Sequence, residues 1–559
     1  FFMNEKSSKI SALFSEKKYD ELIFFLETEF KNKSSQILNL LGVSRLFNSR
    51  NKKSLMLALS EFKQAYVQEK KTQFGLEALI NFINTAVDLH IIQSPVDDML
   101  NDSSTHLNQT NELYDEAEYF FGYNERLVSA IIRVYQQQAN LDKILSGYKR
   151  LFKHGDLNLN TFSSWIFFNN YKKDWSQKDY FKHTKLLQTY VENFSENKLA
   201  KIKEKKGDKI KIGFLSSDIL KKHSITYFLK TVLLNYDKDK FEIYLYLDNK
   251  IEDNDTNEFK ALVKKTCNIS SLNNIDAINS IRQDEIDIIF DIVGLSSVQR
   301  ASLFKNRLAP KQISWLGYCN TTGIDNMDYL ISDPNLIYPE EECNYVEKII
   351  YLPNIWNCHS ELNVERVDLE PPCLKNKYIT FGSFNNFNKI NDSVIDVWSQ
   401  ILKNVIGSKL ILKSSSKIDK NYIKKKFIEN GVSDSVVFLE KRKLIKHFSL
   451  YKQIDIALDT FPYNGVTTSF EAISMGVPVL TMKGYNFNSR CGESINKNLG
   501  MKDLIAKDES EYIFKAKKLA EDQDELLKIR KKIFAIAPHT PLFDKTKFSN
   551  DFFNCLENI

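Results

Sequence analysis

The residue types best suited to chemistry cluster in one stretch, Asp455-Ile-Ala-Leu-Asp459-Thr460-Phe461-Pro462-Tyr463-Asn464-Gly465-Val466-Thr467-Thr468-Ser469-Phe470-Glu471. Ile454 to Leu458 has the length of a buried strand. Phe461-Pro-Tyr-Asn-Gly is turn chemistry, with Pro fixing φ and Asn464-Gly465 tolerating φ > 0. Thr467 and Thr468 stand where a helix begins, and Glu471, three residues beyond Thr468, has the spacing of a capping box. Gly476 and Pro478 end that helix, and Val477 to Met482 reads as the next strand. The first N–H groups of a helix lack internal partners and carry a partial positive charge. Such a helix start, flanked by two hydroxyls, suits an anion such as a nucleotide diphosphate. The same spacing fits an ordinary capped helix of an α/β protein equally well.

Three further side chains carry candidate chemistry. Lys389 leaves a loop rich in Gly and Asn, Phe381-Gly-Ser-Phe-Asn385-Asn386-Phe-Asn388-Lys389, after a predicted strand. There it can neutralise a phosphate as a point charge, or be one surface lysine among many. His447 precedes the central stretch and can meet a nucleobase, ribose or phosphate, or be a satisfied surface imidazole. His223 follows the loop after another predicted strand, a place for a general base or an acceptor ligand, or for a partly buried capping residue. Neither half of the chain carries a Gly-x-Gly-x-x-Gly or P-loop pattern, a nucleophile elbow or a zinc motif. No metal ligand set is identified.

These residues need a scaffold, and the 559 residues are too many for one core. Hydrophobic residues at 43% and charged residues at 27% indicate a globular chain. The net charge of +5, from 77 basic and 72 acidic residues, is too even to argue for nucleic acid. Seven cysteines without Cys-x-x-Cys spacing point to reduced thiols and a cytoplasmic protein. No apolar run of about 18 residues is present, so no membrane span is expected. No signal peptide is visible, and the start at Phe1-Phe2-Met3 suggests a trimmed terminus.

Residues 1–200 are poor in Pro and Gly and show helical spacing, as in Tyr19, Leu22, Ile23, Leu26 and Phe30. Tyr19 to Glu27 and Ile37 to Leu46 resemble a degenerate tetratricopeptide repeat, with a plain helical bundle as the alternative. Residues 197–209 read as a charged linker. From Ile210 strands and helices alternate, which predicts parallel sheets with helices on both faces. The expected division is a helical repeat-like region over 1–200, α/β domains over 208–370 and 371–535, and a helical tail over 536–559. Two such domains place a ligand cleft at the carboxyl ends of their sheets.

At these residues the chain resembles the catalytic region of the O-GlcNAc transferase and SPINDLY family, glycosyltransferase family 41. The resemblance rests on Lys211-Ile-Gly-Phe-Leu-Ser-Ser-Asp218 with His223-Ser-Ile-Thr-Tyr-Phe, and on Arg307-Leu-Ala-Pro-Lys-Gln-Ile-Ser-Trp-Leu-Gly317-Tyr with Asn320-Thr-Thr-Gly323. It rests also on Phe381-Gly-Ser-Phe-Asn-Asn with Lys389-Ile, and on the stretch described first. It covers about 208–535 and is closer to the SPINDLY branch. It implies an α/β GT-B glycosyltransferase, two Rossmann-like domains facing a cleft behind a TPR-like region. The implied reaction is metal-independent, inverting transfer of GlcNAc from UDP-GlcNAc to Ser or Thr hydroxyls of proteins. GDP-fucose as donor or transfer of another hexose, and an inactive repeat-based interaction protein, are the alternatives. By position, Lys389 would hold the diphosphate and stabilise the leaving group. Gly465, Thr467 and Thr468 belong to the implied donor site, where the two threonines hold phosphates. Glu471 would bind ribose, Asn386 and His447 the nucleotide, and His223 is the implied active-site histidine. No cofactor is implied beyond the nucleotide sugar, and the partners are acceptor proteins reached through the helical region. The chain departs from the pattern in a longer Asp218–His223 spacing, in Val293-Gly294-Leu295, and in Val466 where animal enzymes have His.

Overall fold

The apolar run that follows Ile210 forms a strand covered on both faces, and it seeds the larger of two parallel sheets. The protein is described here from a computed structural model covering residues 2–92, 102–202, 207–220, 223–297, 300–360, 370–413, 419–439, 448–557 and 559. The first sheet comprises β1 (Ile210–Ser216), β2 (Phe241–Leu247), β3 (Lys265–Asn268), β4 (Ile288–Asp291), β5 (Lys311–Ser314), β6 (Tyr329–Ser332) and β7 (Lys348–Tyr351). Their order is β3-β2-β1-β4-β5-β6-β7. Central strands of a parallel sheet are buried on both sides, which is why β1, β2 and β4 read as nearly continuous apolar runs. β3 lies at the edge and carries Lys265-Thr-Cys-Asn, a pattern without apolar alternation.

The second sheet comprises β8 (Thr380–Ser383), β9 (Lys409–Lys413), β10 (Val436–Leu439), β11 (Ile456–Leu458), β12 (Val479–Met482) and β13 (Ile505–Ala506). Its order is β10-β9-β8-β11-β12-β13. Counted from its own first strand, each sheet contains the Rossmann order 3-2-1-4-5-6. The order reverses beside β1 in one sheet and beside β8 in the other. Crevices at the carboxyl ends of β1/β4 and β8/β11 are therefore the places where such sheets take ligands. Asp455 anchors the second sheet at its entry: its carboxylate accepts the N–H groups of Cys373 at 2.9 Å and Thr380 at 2.8 Å.

The chain divides into two compact units, Phe1–Asp156 with Ser416–Ile423, and Leu157–Ser415 with Lys424–Ile559. The first unit is helical. Its first four helices begin at Phe2, Tyr19, Ser35 and Lys52, so alternate helices are offset by about the 34 residues of a tetratricopeptide repeat. The helix Gln73–Ile92 is long and apolar enough to cross a membrane by length and composition, although no uninterrupted apolar run occurs in it. Its apolar window is 61% buried among its neighbours, as in the core helix of a bundle. The second unit holds both sheets and also the helices Leu159–Asn169 and Gln177–Thr184, which sequence pattern alone groups with the N-terminal helices. Polar ties fix them there: the Asn170 amide donates to the Tyr318 hydroxyl at 3.0 Å, and its carbonyl accepts from Asn488 at 2.7 Å.

Ahead of β11, Ser449–Gln453 is a 3-10 turn, and residues 440–447 lie outside the described residues. The C-terminal helix Lys545–Glu557 returns to the first sheet. The Phe552 ring sits 4.7 Å from that of Trp315 and 5.5 Å from that of Phe290. Phe552→Ala removes this buried ring and is expected to destabilise the sheet-bearing unit by about 3–5 kcal/mol. Urea unfolding followed by tryptophan fluorescence measures it, and an unchanged midpoint would show that the helix adds nothing to the core.

Candidate active site

The β8 strand ends at Ser383, and the chain leaves it through Phe384-Asn385-Asn386 into one 3-10 turn, Phe387–Lys389. Asn386 caps this turn by accepting the Asn388 N–H at 3.0 Å. The turn brings Lys389 back over the β8/β11 crevice. Its Nζ donates to the Asn464 carbonyl at 2.8 Å and lies 4.6 Å from the centre of the Tyr463 ring. Burial disfavours the charged form and lowers the Lys389 pKa below the ordinary lysine value, while the nearby Asp459 carboxylate opposes that shift.

Asp459 organises the loop that follows β11. Its carboxylate accepts the Gly465 N–H at 2.7 Å, the Thr460 N–H at 2.9 Å and the Thr481 hydroxyl at 2.7 Å. Burial pushes its pKa up to about 6 despite these donors. The loop also closes on itself, with the Asn464 amide donating to the Thr460 carbonyl at 2.9 Å. The Asn464 carbonyl that holds Lys389 is thereby fixed.

Two local expectations are corrected here. The helix after the loop spans Thr467–Ser474 with Val466 at the cap, and no side chain caps it. Thr468 and Glu471 do not form a capping box because the helix begins two residues earlier than that motif needs, with Val466 and not Thr468 at the cap. Thr468 donates instead to Asn385 Oδ1 at 3.0 Å, and Glu471 accepts from the Tyr451 hydroxyl at 3.0 Å. Both side chains are thus drawn across to other elements. Asn464 and Gly465 do not take positive φ either. Glycine is needed at 465 for space: a Cβ there would lie 2.5 Å from Thr468 Oγ1 and 2.7 Å from Asn385 Oδ1.

Lys389, Asn386, Thr467, Thr468 and Glu471 all border one cavity of about 640 Å³. That size is in the range of small-molecule sites. His223 borders it from the first sheet's side. It occupies the cap position of the helix Ser224–Leu234 without making a side-chain cap bond, and its Nε2 is 4.0 Å from Asp218 Oδ2. The imidazole is therefore presented to the cavity and not used up at the helix end. Gly465 is buried and is not among the residues that border the cavity, and His447 lies outside the described residues. Among the described residues no group of three or more His, Cys, Asp or Glu side chains is arranged to hold a metal ion.

Sequence reading missed three contributors. Lys413, nearly fully buried at the end of β9, also borders the cavity. Its signal was available, since it too is a lysine at the carboxyl end of a strand. Phe167 and Tyr171 border it from the segment after Leu159, and the Tyr171 ring lies 5.2 Å from that of Tyr463. No local pattern could place them, because the helix Leu159–Asn169 and the turn after it sit among helices in the sequence and among sheets in space.

The profile of glycosyl transferase family 41 matches residues 176–363 and 371–552, well over half of the chain. The chain belongs to glycosyl transferase family 41. Among its relatives is a tomato (Solanum lycopersicum) protein named as a probable UDP-N-acetylglucosamine–peptide N-acetylglucosaminyltransferase SPINDLY. It is 33% identical over 350 residues, which cover 61% of this chain and 37% of the plant protein. The Arabidopsis thaliana SPINDLY protein is 32% identical over 61% of this chain and 38% of its own length. The Caenorhabditis elegans UDP-N-acetylglucosamine–peptide N-acetylglucosaminyltransferase is 24% identical over 62% of this chain and 40% of its own. The matched region thus spans about two-fifths of these relatives. An O-GlcNAc transferase mutant from Thermobaculum terrenum has the same fold, with TM-score 0.78 and 20% identity over 94% of this chain and 98% of that one. The family 41 chain is accordingly an α/β protein of GT-B type, preceded by a helical region.

The site makes a direct electrostatic prediction. Because burial lowers the Lys389 pKa and Asp459 supports the charged form, Asp459→Asn is expected to lower it further. Titration of ¹³C-methylated lysines by NMR, with Lys389 assigned by substitution, measures both values. A Lys389 that titrates as an ordinary lysine in the unaltered protein would show that the site is open to water.

Proposed function

We propose that this family 41 chain is an inverting protein O-glycosyltransferase that transfers GlcNAc from UDP-GlcNAc to Ser or Thr hydroxyls of proteins without a metal ion. The observation that carries the reading is the convergence of Lys389 and the Thr467/Thr468 helix start on one cavity whose opposite wall bears His223. In the transfer, the acceptor oxygen attacks the anomeric carbon and the bond from that carbon to the β-phosphate oxygen breaks. Negative charge then grows on the departing diphosphate. A fixed ammonium and oriented N–H groups aimed at that charge lower the barrier without reorganising at the moment of reaction. Lys389 suits the role because Asn464 and the Tyr463 ring already hold it. Thr467 and Thr468 add hydroxyl donors to the phosphates, Glu471 accepts from the ribose, and Asn386 and His447 bind the nucleotide. His223, facing the cavity from the other lobe, takes the acceptor proton as general base. The N-terminal helices present acceptor proteins. The names carried by the tomato and nematode relatives support GlcNAc as the sugar. Val466, in place of the histidine of animal enzymes, leaves the donor open, and GDP-fucose is the second donor reading.

Calorimetry with UDP and GDP, followed by transfer assays with UDP-GlcNAc and GDP-fucose, decides between the two donors. Failure to bind either nucleotide would leave an interaction protein. Lys389→Ala is expected to lower kcat by about 10²–10³-fold with unchanged thermal stability, and a wild-type rate would remove Lys389 from the mechanism. The pH profile carries a sign as well. A lowered lysine pKa means that the ammonium is lost at lower pH than usual. The alkaline fall of kcat/KM should therefore begin below pH 10.5, the ordinary lysine value, and should be absent from the residual activity of Lys389→Ala.

A further inference from the structure

One polar side chain in the cavity wall stands apart from the phosphate-facing groups and from His223. Asn357 borders the cavity beside Trp356 and follows β7 in the first lobe. The residue is completely buried, and neither its Oδ1 nor its Nδ2 has a hydrogen-bond partner. A carboxamide shut away from water without partners is destabilising, whereas an apolar side chain of similar shape at the same place would not be. Its position is not slack. The Trp356 N–H donates to Asp333 at 3.1 Å, and the Trp356 carbonyl accepts the Trp315 indole N–H at 2.9 Å. On the other side, the Cys358 carbonyl accepts the Thr231 hydroxyl at 2.9 Å, and the His359 N–H donates to the Leu542 carbonyl at 3.0 Å. The backbone is pinned before and after Asn357, so the unmet amide is built into the wall.

The chemistry of the two walls differs. The second lobe offers an ammonium, hydroxyls and helix N–H groups, which match an acceptor-only phosphate. Asn357 is neutral and both donates and accepts, which matches a hydroxyl or an acetamido group and not a phosphate. Tyr227, half-buried in the same wall, adds an aromatic surface of the kind that suits the C–H face of a sugar ring. We infer that Asn357 is a specificity-determining residue that hydrogen-bonds the sugar of the donor, on the reading of this cavity as a nucleotide-sugar site.

The test compares Asn357→Leu with the unaltered protein by calorimetry, using UDP and GDP alone and then UDP-GlcNAc and GDP-fucose. The inference expects nucleoside diphosphate affinity within about twofold of wild type and nucleotide-sugar affinity lowered by about tenfold or more. In the unaltered protein, a series of deoxy and deacetamido donors should show one position whose removal costs about tenfold, and that cost should vanish in the variant. Unchanged nucleotide-sugar affinity in Asn357→Leu overturns the inference while leaving the proposed function intact. Equal losses for nucleotide and nucleotide sugar overturn it in favour of a structural role. Unaltered protein that binds no nucleotide sugar sinks both readings. Should Asn357→Leu fail to fold, the donor series on the unaltered protein decides alone, and a series with no position costing more than about threefold overturns the inference.

Discussion

Lys389 carries an ammonium group into the half-buried wall of the cavity, and a cation partly withdrawn from water is tolerated only where acceptors and negative charge compensate it. Here the compensation is a backbone carbonyl, an aromatic face and the more distant Asp459 carboxylate. None of these is a close ion-pair partner that would neutralise the charge. The lysine is therefore held and left partly unsatisfied, the condition under which an arriving anion gains most. Asp459 is the quieter half of the arrangement, since it shapes the loop whose carbonyl grips the lysine and is itself destabilised by burial.

The two sheets divide the work through one shared topology. Each reverses its strand order beside its first strand, so each opens a crevice at its carboxyl edge. The second sheet supplies the cation, the two threonines and the helix start. The first supplies His223 and the aromatic wall around Trp356. Elements from both ends of the second unit complete it. The segment after Leu159 contributes Phe167 and Tyr171 to the cavity, and the C-terminal helix covers the first sheet with Phe552.

Much of this was legible in the residues. The central strands are apolar because both faces are covered, so β1, β2, β4, β8, β9 and β11 announce themselves, while the edge strand β3 does not. Lys389, Thr467 and Thr468 stood out because each follows an apolar strand through a turn-rich loop, a pattern that a surface lysine and an ordinary capped helix also fit, so it took the shared cavity to bring them together. The capping box between Thr468 and Glu471 was misread because spacing specifies a motif only once the helix start is known, and that start lay at Thr467.

The sequence by itself determined the parallel sheets, the family and the cluster of Lys389, Thr467 and Thr468, since all three rest on local patterns of apolarity, turns and short motifs. Only the tertiary structure decided which distant side chains meet. Burial made Lys389 an unusual lysine, brought Tyr171 to Tyr463 across nearly three hundred residues of chain, and left the Asn357 amide without a partner. Desolvation and contact depend on what every other segment places nearby, and no single stretch of residues encodes them.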